Sequence, residues 1–84
     1  MVLVEIFSKE DCHLCDIARA SLAKLRRRHP FELRETKIRE GEGLFEQMKD
    51  RVPVIHIDGR EAFHFKVPEE EFMARLLSAE AGHR

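Results

Sequence analysis

The two cysteines of this 84-residue chain, Cys12 and Cys15, stand three positions apart in the stretch SKEDCHLC, Ser8 to Cys15. A pair at this spacing can carry a reversible disulfide, hold a soft metal ion, or pack as two small apolar side chains. Disulfide exchange requires a thiolate, whereas a free cysteine is mostly protonated at neutral pH, so a redox site must favour the charged sulfur. A helix beginning at the pair does this, because its unpaired backbone N–H groups and the positive end of its dipole lie beside the first sulfur. Asp11 is the expected N-cap, and Lys9 and, when protonated, His13 supply further positive charge. Cys12, on the exposed edge of the first turn, is the expected nucleophile; Cys15, one turn further along the apolar stripe, is the expected resolving thiol.

Several elements must position this pair. VLVEIF, Val2 to Phe7, is rich in β-branched and aromatic residues, mostly apolar on both faces, and reads as a central strand ending just before the cysteines. From Cys12 the pattern turns helical, with Cys15, Ala18, Leu22 and Leu25 on one stripe facing the sheet. Arg26 to His29 place positive charge at the helix C-terminus, and Pro30 stops it. Phe31 to Ile38 reads as a second, partly exposed strand, joined to the first by a right-handed parallel crossover. Leu44 to Asp50 forms a short helix after a glycine-marked loop. Val54 to Ile57, a turn at Asp58-Gly59, and Glu61 to Phe65 make a β-hairpin. Pro68 and Glu69 to Glu71 open a last helix burying Phe72, Met73, Leu76 and Leu77 before Gly82. The expected order is β-α-β-α-β-β-α, an α/β fold with a mixed four-stranded sheet and flanking helices.

Length and composition bound the partners. One domain over residues 1–84 is expected, with 43% hydrophobic residues supplying a modest core. Fifteen basic against sixteen acidic side chains leave a net charge of −1, so no overall field draws nucleic acid or an acidic membrane. MVLVEIF is short and interrupted by Glu5, unlike a secretory leader, and no stretch is long enough to span a bilayer. The expected setting is the cytoplasm, where most thiols are kept reduced and a close cysteine pair serves chemistry rather than stapling.

FSKEDCHLC and RVPVIHIDG together resemble the thioredoxin superfamily, most closely small glutaredoxin-like proteins, over nearly the whole length. Lys9, Cys12, Cys15, Val52 and Pro53 match that pattern in type and order. The resemblance implies a thioredoxin-like fold and a dithiol–disulfide oxidoreductase with no cofactor beyond its Cys12–Cys15 disulfide. It implies that Val52–Pro53 is cis and lies beside Cys12, with the Val52 backbone free to pair with an extended substrate. The implied partners are protein disulfides and a reductant, either glutathione or a thioredoxin-reductase-type enzyme, acting on a monomer.

Three departures stand out. The Gly-Gly-Cys/Ser-Asp segment that holds glutathione is replaced by Phe63, His64, Phe65 and Lys66, so weak or no glutathione binding is expected. His13-Leu14 replaces Pro-Tyr between the cysteines; an imidazole there stabilises the thiolate and raises the reduction potential, or is simply a solvent-facing side chain. Ile6 occupies the position of the buried acid of thioredoxins, so proton transfer to Cys15 needs another route, such as water.

The rival chemistry is a zinc or copper site built from Cys12, Cys15 and His13, with His56 or His64 as more remote ligands. Against it stand the absence of a second C-x-x-C and Glu10 where a small copper carrier has methionine. A shared iron–sulfur cluster held through glutathione is disfavoured by the altered segment. Phe63 and Phe65, two apart on the last strand, are expected to pack under the last helix, the alternative being an exposed patch serving a binding module. His29, His56 and His83 carry no motif.

Overall fold

β1 (Leu3–Ser8), α1 (His13–Arg28), β2 (Glu32–Lys37), α2 (Gly43–Met48), β3 (Val54–Ile57), β4 (Arg60–His64) and α3 (Glu69–Ala81) follow in the expected order in the computed structural model, which describes residues 1–82. His83 therefore lies outside the described residues. The strands form one sheet in the order β2-β1-β3-β4. β1 runs parallel to β2, as a helical crossover requires, and antiparallel to β3, which forms a hairpin with β4. The largely apolar character of the first strand thus has its cause: β1 is central in the sheet and packed against helices on both faces.

Alternation along β1 divides the core. Val4 and Ile6 point to one face, opposite Ile57 and Ile55, and pack with Ala18, Leu22 and Leu25 of α1 and with Phe72 and Leu76 of α3. Phe7 and Val54 point to the other face and pack with Met48 and Phe45 of α2, together with Ile38 and Val52. Cys15 belongs to this second cluster, so the redox pair sits where the two halves of the core meet at the end of β1.

Two hairpin details differ from the sequence reading. The register slips between Ile55, opposite Phe63, and His56, opposite Glu61, and β4 ends at His64. Phe65 lies outside the strand in the left-handed region (φ 70°) and is 44% exposed. Phe63 packs against the core near α3, with the Arg75 guanidinium 5.8 Å from its ring centre. The two phenylalanines therefore do not share a face, because the strand ends at His64 and the left-handed backbone of Phe65 breaks the alternation. The turn itself is as expected: Asp58 and Gly59 have φ 56° and 82°, the double left-handed geometry of a two-residue hairpin.

In α3, Phe72 and Leu76 are buried and Met73 is partly buried, but Leu77 is 50% exposed, so the apolar stripe is one residue narrower than its hydrophobicity suggests. His29, the C-cap of α1, is tied to α3: its Nε2 lies 2.9 and 3.0 Å from the two carboxylate oxygens of Glu80. The exposed edge strand β2 carries Glu32, Arg34, Glu35 and Lys37, charges that discourage pairing with another sheet.

Leu22 is fully buried between α1 and the sheet. Leu22→Ala is expected to cost about 2–5 kcal/mol, removing transfer energy and leaving a cavity; the urea midpoint checks this, and a loss below half a kcal/mol would contradict the core described.

Candidate redox site

β1 ends at Ser8, and the chain must reverse before α1 can lie back across the sheet. Asp11 makes the turn in the left-handed region (φ 53°), which aspartate tolerates better than most residues. The N-cap is therefore not Asp11 but Cys12, whose extended backbone (φ −116°, ψ 100°) precedes the helix. Its sulfur plays the capping part: the Cys15 backbone N–H donates to Cys12 Sγ at 3.2 Å. A cap accepts from the second or third helical N–H, and Cys15 is the third residue of α1.

The two sulfurs are bonded to each other as a disulfide, with the α-carbons 5.2 Å apart, inside the usual range of about 4.4–6.8 Å. Cys15 is 1% exposed, whereas Cys12 is only half-buried at the rim of the Phe7, Val52 and Val54 cluster. One sulfur is open to a partner and the other is shielded.

Val52–Pro53 is a cis peptide, as the resemblance implied, and Val52 packs in the same apolar cluster as the two cysteines. Neighbouring contacts hold this loop. Arg51 grips both carboxylate oxygens of Glu61 on β4 at 2.7 and 2.6 Å, which holds the Glu61 carboxyl below its ordinary range. The Phe65 N–H donates to the Pro53 carbonyl at 2.9 Å. Phe65 and Lys66, in the stretch that the resemblance aligns with a glutathione-binding segment, are both exposed.

Lys9 lines a cleft of about 390 Å³ together with Cys12, and its Nζ donates to the Lys49 carbonyl at the C-cap of α2 (3.2 Å). His13 is the first residue of α1 and is exposed. The proposed remote ligands are not gathered at the sulfurs. His56 stacks obliquely on Phe7 with ring centres 4.8 Å apart, and His64 lies against Phe65 and 3.7 Å from Glu61. Among the described residues, no three His, Cys, Asp or Glu side chains are clustered to hold one metal ion.

An ionic network also lines the cleft, and the sequence reading missed it. Arg19 donates from Nε to Glu35 of β2 and from Nη1 to Asp16, each at 2.8 Å. The buried Ser8 hydroxyl donates to the second Glu35 oxygen at 2.7 Å. The Arg19 hydrogen bonds, helped by that of Ser8, hold the Glu35 carboxyl down to about 2 against partial burial. Asp16 and Arg19 are legible from Cys12 as i+4 and i+7 on one helix face. Glu35 is not, because only the β1–β2 register, Ile6 opposite Glu35 and Ser8 opposite Lys37, brings it there.

The profile of the family described as glutaredoxin-like domain (DUF836) matches residues 3–77. The chain belongs to this glutaredoxin-like family. Two solved structures are similar to this glutaredoxin-like protein over most of both chains. Protein Ne2328 of Nitrosomonas europaea is 31% identical, covering 89% of this chain and 91% of that one (TM-score 0.78). A structural-genomics target protein from X. campestris is 28% identical, covering 89% and 96% (TM-score 0.74). Thioredoxin f2 of Chlamydomonas reinhardtii, at 18% identity, covers 99% of this chain and 79% of its own and shares the fold (TM-score 0.58). The mixed four-stranded sheet with flanking helices is accordingly thioredoxin-like. Among curated proteins, no sequence is significantly similar to this chain.

Glu35 supplies a pH signature. Its folded-state carboxyl titrates near 2 rather than at the ordinary 4.5. The stability it contributes is complete above the unfolded value and is lost as pH falls through the folded one. Glu35→Gln is expected to lower the urea midpoint near neutral pH, with the gap to the parent closing between about 4.5 and about 2. A gap that stays constant over that range would contradict the assignment.

Proposed function

We propose that this glutaredoxin-like protein is a dithiol–disulfide oxidoreductase that reduces protein disulfides, with Cys12 as nucleophile and Cys15 as resolving thiol. The observation carrying this reading is the position of the Cys12 sulfur. It caps α1, receives the Cys15 N–H at 3.2 Å, and faces the open side of the cluster that buries Cys15. In the reduced protein the same donor and the helix dipole favour Cys12 as a thiolate.

The cycle balances as two exchanges. The Cys12 thiolate attacks one sulfur of a substrate disulfide; a Cys12–substrate disulfide forms, the substrate bond breaks, and the departing sulfur leaves as a thiolate that takes up a proton. Cys15, on losing its proton to water, attacks the Cys12 sulfur. The intramolecular disulfide forms and the second substrate sulfur is released. The substrate has gained two electrons and two protons, and the protein is the oxidised Cys12–Cys15 form. A thiol reductant returns the pair by two exchanges: two molecules of glutathione, which leave as their disulfide, or the dithiol of an enzyme of the thioredoxin-reductase type.

The cis Val52–Pro53 peptide supports a docking role for that loop, in which the Val52 backbone pairs with an extended segment of the substrate. Lys9 and, when protonated, His13 place positive charge on either side of the nucleophile. The bulky, basic run Phe63 to Lys66 supports weak or absent glutathione binding, which favours an enzymatic reductant. The net charge of −1 supports neither nucleic acid nor an acidic membrane as partner. Action as a monomer in the cytoplasm completes the reading.

Cys12→Ser is expected to reduce disulfide reduction to the uncatalysed rate, while Cys15→Ser accumulates mixed disulfides with substrate proteins, visible on non-reducing gels and identifying the partners by mass. Parent-like turnover by Cys12→Ser would overturn the reading. Thiol titration with metal analysis separates the rival: two thiols that interconvert with a disulfide, with little bound metal, are expected. Stoichiometric zinc that survives dialysis and protects both thiols would favour metal binding instead.

A further inference from the structure

The first turn of α1 contains a conflict. The field that favours a thiolate at Cys12 also favours Asp16, the acidic residue of that turn. Asp16 follows Cys12 by four positions on the same helix face, and its N–H donates to the Cys12 carbonyl at 3.2 Å. An uncompensated carboxylate there opposes ionisation of the neighbouring thiol. Further negative charge lines the same cleft: Glu10 and Asp11 from the loop, and Glu35 from β2. The cations facing it are Lys9, Arg19 and Lys37, of which Lys9 is tethered to the end of α2. Exposed His13 follows Cys12 directly.

Arg19 is the only one of these cations whose hydrogen bonds join two of the cleft carboxylates, Asp16 at 2.8 Å and Glu35 at 2.8 Å. Glu35 is itself anchored by the buried Ser8 hydroxyl at the end of β1. The guanidinium is therefore held in place by two carboxylates of different elements rather than swinging free in solvent. That distinguishes it from an ordinary exposed ion pair, in which side-chain entropy cancels most of the gain.

We propose that Arg19 is a positioning residue of the dithiol site: clamped to β2 through Glu35, it neutralises Asp16 and so leaves the helix N-terminal field at Cys12 uncancelled. The inference rests on the reading of Cys12 as the nucleophile. Its consequence is a reduction potential set partly by a residue two turns away, since a better-stabilised thiolate stabilises the reduced form and raises the potential.

The test uses the full chain in a Cys15→Ser background, where only one thiol titrates, and follows thiolate absorbance against pH. Arg19→Gln is expected to raise the Cys12 thiol pKa by roughly half a unit at low ionic strength, a small shift because Asp16 is exposed. Asp16→Asn is expected to lower it, and Arg19→Gln combined with Asp16→Asn to return it near the parent value. Arg19→Lys, which keeps the charge but loses the fork, is expected to recover most of the shift. At about 1 M salt the differences shrink, because screening then reaches within a few ångströms. With both cysteines present, the potential of Arg19→Gln against a thiol buffer is expected to fall below that of the parent.

Unchanged Cys12 ionisation in Arg19→Gln, a double variant indistinguishable from Arg19→Gln alone, or a lysine variant behaving like glutamine would each overturn the proposal. A parent Cys12 that ionises like a free cysteine would instead count against the redox reading. The comparison among variants still decides the role of Arg19 in that case.

Discussion

A single backbone amide connects the architecture of this protein to its chemistry. The Cys15 N–H, unpaired within α1 because it lies in the first turn, donates to the sulfur of Cys12. Every helix start leaves such donors; here the acceptor is a sulfur instead of the oxygen that usually caps them. One interaction thus starts the helix and ties the two cysteines together, and in the proposed dithiol form it lowers the cost of negative charge on the outer sulfur. Moving the cap by one residue, to Asp11, would give its carboxylate the His13 or Leu14 N–H, draw the Cys15 N–H into the helix ladder and leave the thiol without that donor.

The rest of the fold keeps that amide and that sulfur in place. β1 is buried on both faces, so its end is a rigid launching point for the loop at Lys9 to Asp11. The left-handed Asp11 turns the chain so that α1 can lay Ala18, Leu22 and Leu25 on the sheet, and the same helical phase carries Cys15 into the core. From the opposite side, Arg51 and Phe65 fasten the cis-proline loop to the hairpin. The asymmetry of the pair, one sulfur open and one shielded, is a product of helical phase and needs no special device.

Charge around the site is balanced rather than uniformly positive. Glu10, Asp11, Asp16 and Glu35 line the cleft with Lys9, Arg19 and Lys37, so the helix terminus acts against a slightly acidic background. Acidic residues near a helix start strengthen the helix and weaken a thiolate, and the Arg19 clamp reconciles the two demands. Position within the field matters more here than the sum of charges.

The redox pair, its helix and the apolar central strand were legible in the sequence because they rest on local rules: cysteine spacing, the period of the buried stripe, and turn chemistry at Asp58-Gly59. The resemblance to glutaredoxin-like proteins supplied the cis Val52–Pro53 bond, which no local rule requires. Only tertiary structure decided that Cys12 itself caps α1, since that depends on where the chain reverses after β1. Only tertiary structure could bring Glu35 to Arg19, because the register of two strands separated by a whole helix is set by packing, not by neighbours in the chain. The same holds for Phe65 and Leu77: hydrophobicity and period place both in the core, yet Phe65 falls past the end of β4 in a left-handed turn and Leu77 stays half-exposed beside the buried Phe72 and Leu76. Local sequence determines which surfaces seek burial, and global geometry determines which of them find it.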